Sequence, residues 1–301
     1  MKILCPVDGS DFSRLLIQGV GTVFRNRVKE IVLLHVLPAG HSGKRRVPKH
    51  QQAASWPALS EKMTRASNKL LHGHVERLKV VLNQAGTSQV ASLKTMVMKG
   101  DVSDGILRAS EKMDADCIAV GSRGMSDVPG YLLGSVSRKV VTHASCSVFM
   151  VKGEVVVPLP VLLALDGSKA SKQAMRKLIT WLDPDEVAIH VVSVVPEKIT
   201  DLGLEVLGKT QAKALMAPVR KQTQLLLAES RKNFLKAGFQ VDTEFLEGNP
   251  RTQIVETAQR LKTQLVCVGS KGLSGIERFT LGSVSDWVST YSPSSVFVLR
   301  H

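Results

Sequence analysis

The amino-acid sequence predicts an α/β fold of two tandem doubly wound domains, each a five-stranded parallel sheet flanked by helices. Three observations lead there. The chain repeats itself, short Val/Ile/Leu runs alternate with helical patterns in both halves, and an Asp and a glycine motif recur directly after strands.

The repeat comes first. Ile3-Leu-Cys-Pro-Val-Asp-Gly-Ser10 returns as Val161-Leu-Leu-Ala-Leu-Asp-Gly-Ser168, so Asp8 and Asp166 correspond at an offset of 166 − 8 = 158. Gly121-Ser-Arg-Gly-Met-Ser126 returns as Gly269-Ser-Lys-Gly-Leu-Ser274, and Leu133-Gly-Ser-Val-Ser137 as Leu281-Gly-Ser-Val-Ser285, at an offset of 269 − 121 = 148. The first half therefore carries ten additional residues. Val36 matches Val194 at the larger offset and Gly100 matches Gly248 at the smaller, which places the addition between Leu37 and Lys99. That interval holds the basic stretch His41 to His50, so insertion and charge cluster read as one surface loop of the first half. The domains are expected over 1–153 and 157–301, with the junction near Gly153 to Pro160, where Pro158 and Pro160 interrupt an apolar run.

In chain order, Ile3 to Val7 reads as a short buried strand running into a turn, followed by a helix over Ser13 to Phe24. A strand over Glu30 to Leu37 precedes a helix over roughly Leu59 to Ala85. A strand over Ser92 to Met98 feeds a helix over Val102 to Met113. Cys117 to Val120 is the fourth strand, Ser135 to His143 the fourth helix, and Ser147 to Val151 the last strand. In the second half Asn249-Pro250 opens the third helix, because Asn caps it and Pro occupies a first-turn position that needs no donor. Ile254, Val255, Ala258 and Leu261 then form its apolar stripe.

Composition excludes several classes. With 44% apolar and 22% charged residues among 301, each half can bury its own core. Cys5, Cys117, Cys146 and Cys267 mostly lie in or beside apolar runs, without metal-site spacing, and read as reduced, buried thiols. The first residues lack a signal-peptide pattern, and no apolar run approaches the roughly 20 residues of a membrane span. The expected compartment is therefore the cytoplasm. A net charge of +14 would suit nucleic acid or polyphosphate ligands. The stretch with Lys44, Arg45, Arg46 and Lys49 has no interleaved aromatic residue, however, and reads as a solvated loop rather than a nucleic-acid surface.

Open sheets of this kind bind ligands beyond the carboxyl ends of their strands, at the switch in strand order. Asp8, Gly121, Asp166 and Gly269 each follow a strand and should converge there. Gly121 and Gly124 let the chain turn sharply and present backbone N–H groups to a phosphate. Gly134 and Ser135 lead into a helix whose N-terminus adds free N–H groups and a positive dipole end. The Ser135 and Ser137 hydroxyls could bond phosphate oxygens. Gly269, Gly272, Gly282, Ser283 and Ser285 repeat every element. The bland alternative is that such glycines close turns or let a helix pack tightly.

At these residues the sequence resembles the universal stress protein family, in its nucleotide-binding branch with Gly-x2-Gly-x9-Gly-Ser/Thr, and looks like a tandem member over both halves. The resemblance implies strand order 3-2-1-4-5 and ATP lying across the strand ends. It implies that Asp8 and Val36 contact the adenosine, with Pro6 and Val120 alongside, and that Gly121, Gly124, Gly134, Ser135, Val136 and Ser137 hold ribose and phosphates. The second set would be Ala164, Asp166, Val194, Val268, Gly269, Gly272, Gly282, Ser283, Val284 and Ser285. Ala164 replaces Pro6, so the second adenosine pocket differs and two ATP sites of unequal affinity are expected. Arg123 and Lys271 could screen phosphate charge or face water. Mg²⁺ could accompany the nucleotide, as it commonly binds through phosphates, and no dedicated metal cage is visible. In the family the last strand often pairs domains edge to edge. The two halves are therefore expected to form a pseudo-dimer within one chain, with a homodimer left open.

Gly203-Leu-Glu-Val-Leu-Gly-Lys-Thr210 satisfies the Walker A pattern but does not directly follow its strand, and its bulky residues suit a helix face. No set of base, nucleophile and metal-holding carboxylate is found, so no catalytic residue is assigned. His35 and His143 correspond to Ser193 and Tyr291. The leading expectation is a cytoplasmic ATP-binding stress-response regulator or sensor acting through nucleotide-dependent conformation or an unidentified protein partner. A slow ATPase or nucleotidyl transferase, and a nucleotide-free interaction module, are the alternatives.

Overall fold

A computed structural model describes residues 1–24, 26–38, 56–84, 92–124, 133–272 and 281–300, with the backbone alone described at 56–58, 84 and 197–215. The first half runs β1 (Lys2–Pro6), α1 (Asp11–Val23), β2 (Glu30–Pro38), α2 (Trp56–Gln84), β3 (Ser92–Gly100), α3 (Val102–Lys112), β4 (Cys117–Gly121), α4 (Ser135–His143) and β5 (Ser147–Val151). The second runs β6 (Leu159–Ala164), α5 (Lys169–Trp181), β7 (Val187–Pro196), α6 (Glu197–Lys236), β8 (Gln240–Gly248), α7 (Pro250–Arg260), β9 (Leu265–Gly269), α8 (Ser283–Tyr291) and β10 (Ser295–Leu299).

Local chemistry sets the helix starts. Ser10 takes the N-cap of α1 by accepting the Ser13 N–H, so the helix begins at Asp11 rather than at Ser13. Ser168 caps α5 through Ser171 N–H in the same way, Asp101 caps α3, and Asn249 caps α7 with Pro250 behind it. Each such cap is worth about 1 kcal/mol. Leu16, Ile17, Val20 and Val23 then share the buried face of α1.

Within each half the strands are parallel in the order 3-2-1-4-5, as expected, but the two sheets are continuous. Their joint order is β3-β2-β1-β4-β5-β10-β9-β6-β7-β8. β5 and β10 meet antiparallel, with Phe149 opposite Phe297, Val148 opposite Val298 and Met150 opposite Val296. All five residues of each strand are buried, which neither could achieve at an open sheet edge. Two apolar layers result. α1, α2, α5 and α6 cover one face of the sheet, and α3, α4, α7 and α8 the other.

One expectation about a connection is settled here. Residues 203–210 lie inside α6, so the Walker-like string is helical and not a phosphate loop. The basic stretch His41 to His50, on which the insertion is expected, lies outside the described residues. Seven residues (85–91) join α2 to β3, whereas three (237–239) join α6 to β8. Cys5, Cys117 and Cys267 are buried and Cys146 nearly so, all as free thiols, and burial pushes their pKa values up, that of Cys146 to about 11. Among the described residues no helix is long and apolar enough to cross a membrane.

Candidate functional site

β1 carries Asp8 to the carboxyl end of the sheet, where the chain reverses into α1. Asp8 Oδ1 accepts the Ser10 N–H at 2.9 Å and the Ser13 hydroxyl at 2.8 Å, while the Asp8 N–H donates to Ser13 Oγ at 2.8 Å. The carboxylate is therefore fixed in direction before any ligand arrives. His74 of α2 lies behind it, with Nε2 3.2 Å from the Asp8 carbonyl. A carbonyl only accepts, so Nε2 carries the proton, and burial lowers the His74 pKa and favours this neutral form.

β4 delivers the glycine turn beside it. A Cβ on Gly121 would stand 2.9 Å from Phe12 Cβ and 3.3 Å from the Arg123 carbonyl, so this glycine is required by the close approach of α1. The turn is tied down by Ser122, whose N–H donates to Val151 O at 2.8 Å and whose carbonyl accepts the Gly134 N–H at 2.8 Å. Gly134 is the N-cap of α4 and supplies no side-chain cap. The first-turn N–H groups of a helix have no intrahelical partners, so this end remains a donor cluster. Ser135 is exposed there, whereas Ser137 is buried and its hydroxyl donates to Gly121 O at 2.6 Å. This bond latches α4 to β4. Arg123 places its guanidinium carbon 5.8 Å from the centroid of the Phe12 ring.

The second half rebuilds the arrangement. Ser285 donates to Gly269 O at 2.6 Å, Gly282 N–H donates to Ser270 O at 2.8 Å, and Gly282 caps α8 without a side chain. A Cβ on Gly272 would stand 2.9 Å from Asp166 Oδ2, and one on Gly282 would stand 3.7 Å from Gly272 N. Asp166, Gly272 and the start of α8 are therefore contiguous. Gly167, at φ +79°, makes the turn that puts Asp166 there.

The two sites differ in four ways. Asp166 is exposed, and Ser171 donates to Ser168 O instead of sharing the carboxylate as Ser13 does. Ala170 stands where the first half has Phe12, the residue whose ring faces Arg123. Ala164 stands for Pro6, each half-buried at its strand end. Finally, the first turn of α4 holds no acid and is followed by Arg138, whereas Asp286 occupies that place in α8. The repeats themselves carry this last difference, since Arg138 and Asp286 correspond at the offset of 148.

The remaining expected residues lie in the packed layer under α3, α4, α7 and α8. Val36, Val120 and Val268 are buried in that layer, and Val136, Val194 and Val284 pack against it half-buried. Val36 lies against α3, 3.1 Å from where a Cβ on Gly105 would be. Gly124 and Gly269 are half-buried within the turns. Among the described residues no three His, Cys, Asp or Glu side chains gather in a metal-ligating group.

Comparisons with known proteins agree with this architecture. The universal stress protein family profile matches residues 1–152 and again 159–300. A universal stress protein of Mycolicibacterium smegmatis is 29% identical over 259 residues, covering 82% of this chain and 83% of its own. One from Methanocaldococcus jannaschii is 31% identical over 143 residues, covering 46% of this chain and 81% of its own. The crystal structure of a universal stress protein from Archaeoglobus fulgidus superposes with a TM-score of 0.65 at 23% identity, covering 99% of this chain and 98% of that one, a likeness of fold.

Proposed function

The chain belongs to the universal stress protein family, and from that premise we propose that it binds ATP at the strand ends of both halves and acts as a cytoplasmic stress-response regulator. The units would be 1–153 and 157–301, each with one site. The observation that carries this reading is the contiguity of Asp166, Gly272 and Gly282, in which an acid at a strand end adjoins a glycine turn and an uncapped helix start. A nucleoside hydroxyl suits the first, and phosphate oxygens suit the other two.

In the first half the nucleoside would lie toward Pro6, Asp8, Val36 and Val120, and the phosphates over Gly121, Gly124, Gly134, Ser135 and the N–H groups of Val136 and Ser137. In the second half the nucleoside would lie toward Ala164, Asp166, Val194 and Val268. Its phosphates would lie over Gly269, Gly272, Gly282, Ser283, and the N–H groups of Val284 and Ser285. Mg²⁺, where present, would arrive on the phosphates with few protein ligands. Bound nucleotide would set the conformation that a protein partner recognises. Further pairing of chains would fall to β3 or β8, since β5 and β10 are already paired with each other.

Mass spectrometry of small molecules extracted from the natively purified chain, with calorimetric titration of the emptied protein, tests the reading. ATP in the extract, or heat of ATP binding, is the expected result. An extract without nucleotide and a flat titration would overturn it and favour a nucleotide-free interaction module.

A further inference from the structure

Each half's candidate phosphate helix is held at its far end by a cation from the other half, and the geometry points to Lys152 and Arg300 as positioning residues for the two sites. The inference rests on the phosphate-binding reading of α4 and α8. β5 ends at Val151 and β10 at Leu299, and the next residue of each is the cation. Lys152 Nζ donates to the Ser292 carbonyl at 2.6 Å and the Thr290 carbonyl at 3.5 Å, where α8 closes. The Arg300 guanidinium donates to the Val141 and Thr142 carbonyls at 2.5 and 3.2 Å, in the last turn of α4.

A helix carries roughly half a positive charge at its N-terminus and half a negative charge at its C-terminus. A cation packed at the C-terminus therefore complements an anion at the N-terminus, and salt screens a buried or half-buried charge less than an exposed one. α4 and α8 span nine residues each, so the two ends are close. At their N-termini the Ser137 and Ser285 hydroxyls bond each helix to its glycine turn. The orientation of each donor cluster thus also depends on the far end of its helix, where the bonded cation comes from the other half. Lys152 serves the second-half site and Arg300 the first-half site.

The test follows amides of the isotopically labelled full chain during ATP titration, reading residues 135–137 and 283–285 separately, together with hydrogen exchange in α4 and α8. Lys152→Gln and Arg300→Gln keep a donor and remove the charge; Lys152→Arg and Arg300→Lys restore it. Lys152→Gln should weaken the ATP response at 283–285 by roughly three- to ten-fold, leave 135–137 unchanged and speed exchange in α8 alone. Arg300→Gln should do the converse, and the charge-restoring variants should behave as the parent. Weakening of both sites together, or of neither, in a chain that binds ATP overturns the positioning role and leaves the nucleotide reading intact. A parent chain silent to ATP at both helices overturns that reading and the inference with it.

Discussion

Lys152 and Arg300 stand at equivalent positions of the two halves and make the same bond across the junction, each donating its backbone N–H to the first serine of the opposite last strand, Ser295 at 3.2 Å and Ser147 at 3.1 Å. The antiparallel pairing of β5 and β10 brings this about, because it sets the end of one strand beside the start of the other. The chemistry at the two positions nevertheless differs. Burial pushes the Lys152 ammonium down to about 8 from its ordinary 10.5, within reach of titration.

A pH dependence of stability follows from Lys152. Below pH 8 the charged form is present in both folded and unfolded chains, and its burial cost is fully felt. Between pH 8 and 10.5 the unfolded chain binds more protons than the folded one, so this group makes stability rise with pH. The gain is on the order of 3 kcal/mol. Buried Cys5, Cys117 and Cys267 act oppositely, since their raised pKa values keep them protonated in the folded chain while unfolded thiols ionise. Urea unfolding of the parent and of Lys152→Met at a series of pH values isolates the lysine. The parent should gain on the variant across that window, and parallel curves would refute the assignment.

The first-half site should bind phosphate more tightly than the second. Arg138 stands just inside α4 where Asp286 stands in α8, a difference of two charges near the donor cluster. Beside such a donor cluster Asp286 repels a bound phosphate and Arg138 attracts it, and an exposed charge at a helix N-terminus is worth roughly 0.3–1 kcal/mol. Asp286→Arg should therefore strengthen ATP binding in the second half several-fold, and Arg138→Asp should weaken it in the first. Calorimetry of the two variants decides, and unchanged affinities would remove this electrostatic account of the asymmetry.

Gly272→Ala offers a sharper probe of the second site. Its Cβ would stand 2.9 Å from Asp166 Oδ2, and Asp166 is exposed enough to swing aside. The thermal midpoint should therefore shift by only about 1–2 °C. ATP binding in the second half should fall by about tenfold, as the carboxylate is displaced and the phosphate space filled. Loss of stability without loss of binding would mean that Gly272 serves only the turn.

Much of this was legible in the sequence. Alternating apolar runs report burial, so the strands and their parallel connection through helices could be read directly, and the duplicated Asp8 and Asp166 marked the strand ends. Periodicity does not name the partner of a buried group, however. Nothing local tells that the Ser137 hydroxyl belongs to Gly121 O, or that Gly121 is a glycine because Phe12 crowds it. The contacts of Lys152 and Arg300 with helices of the opposite half depend on the register of β5 against β10, and strand composition alone does not fix register.

Finally, the two halves should unfold together. Phe24, at the end of α1, lies 5.2 Å from Phe149 of β5 and 5.6 Å from Phe297 of β10, edge to face, and Trp181 at the end of α5 stacks on Phe297 at 5.8 Å. Each half thus contributes two rings to one buried cluster, so neither has a complete core alone. Phe297→Ala would open a cavity that touches both halves and cost about 3–5 kcal/mol. Calorimetric unfolding of the parent should show one transition, and in the variant that single transition should move down as a whole. Two resolved transitions, with only the second-half transition displaced by Phe297→Ala, would show that the junction is a contact between independent domains rather than a shared core.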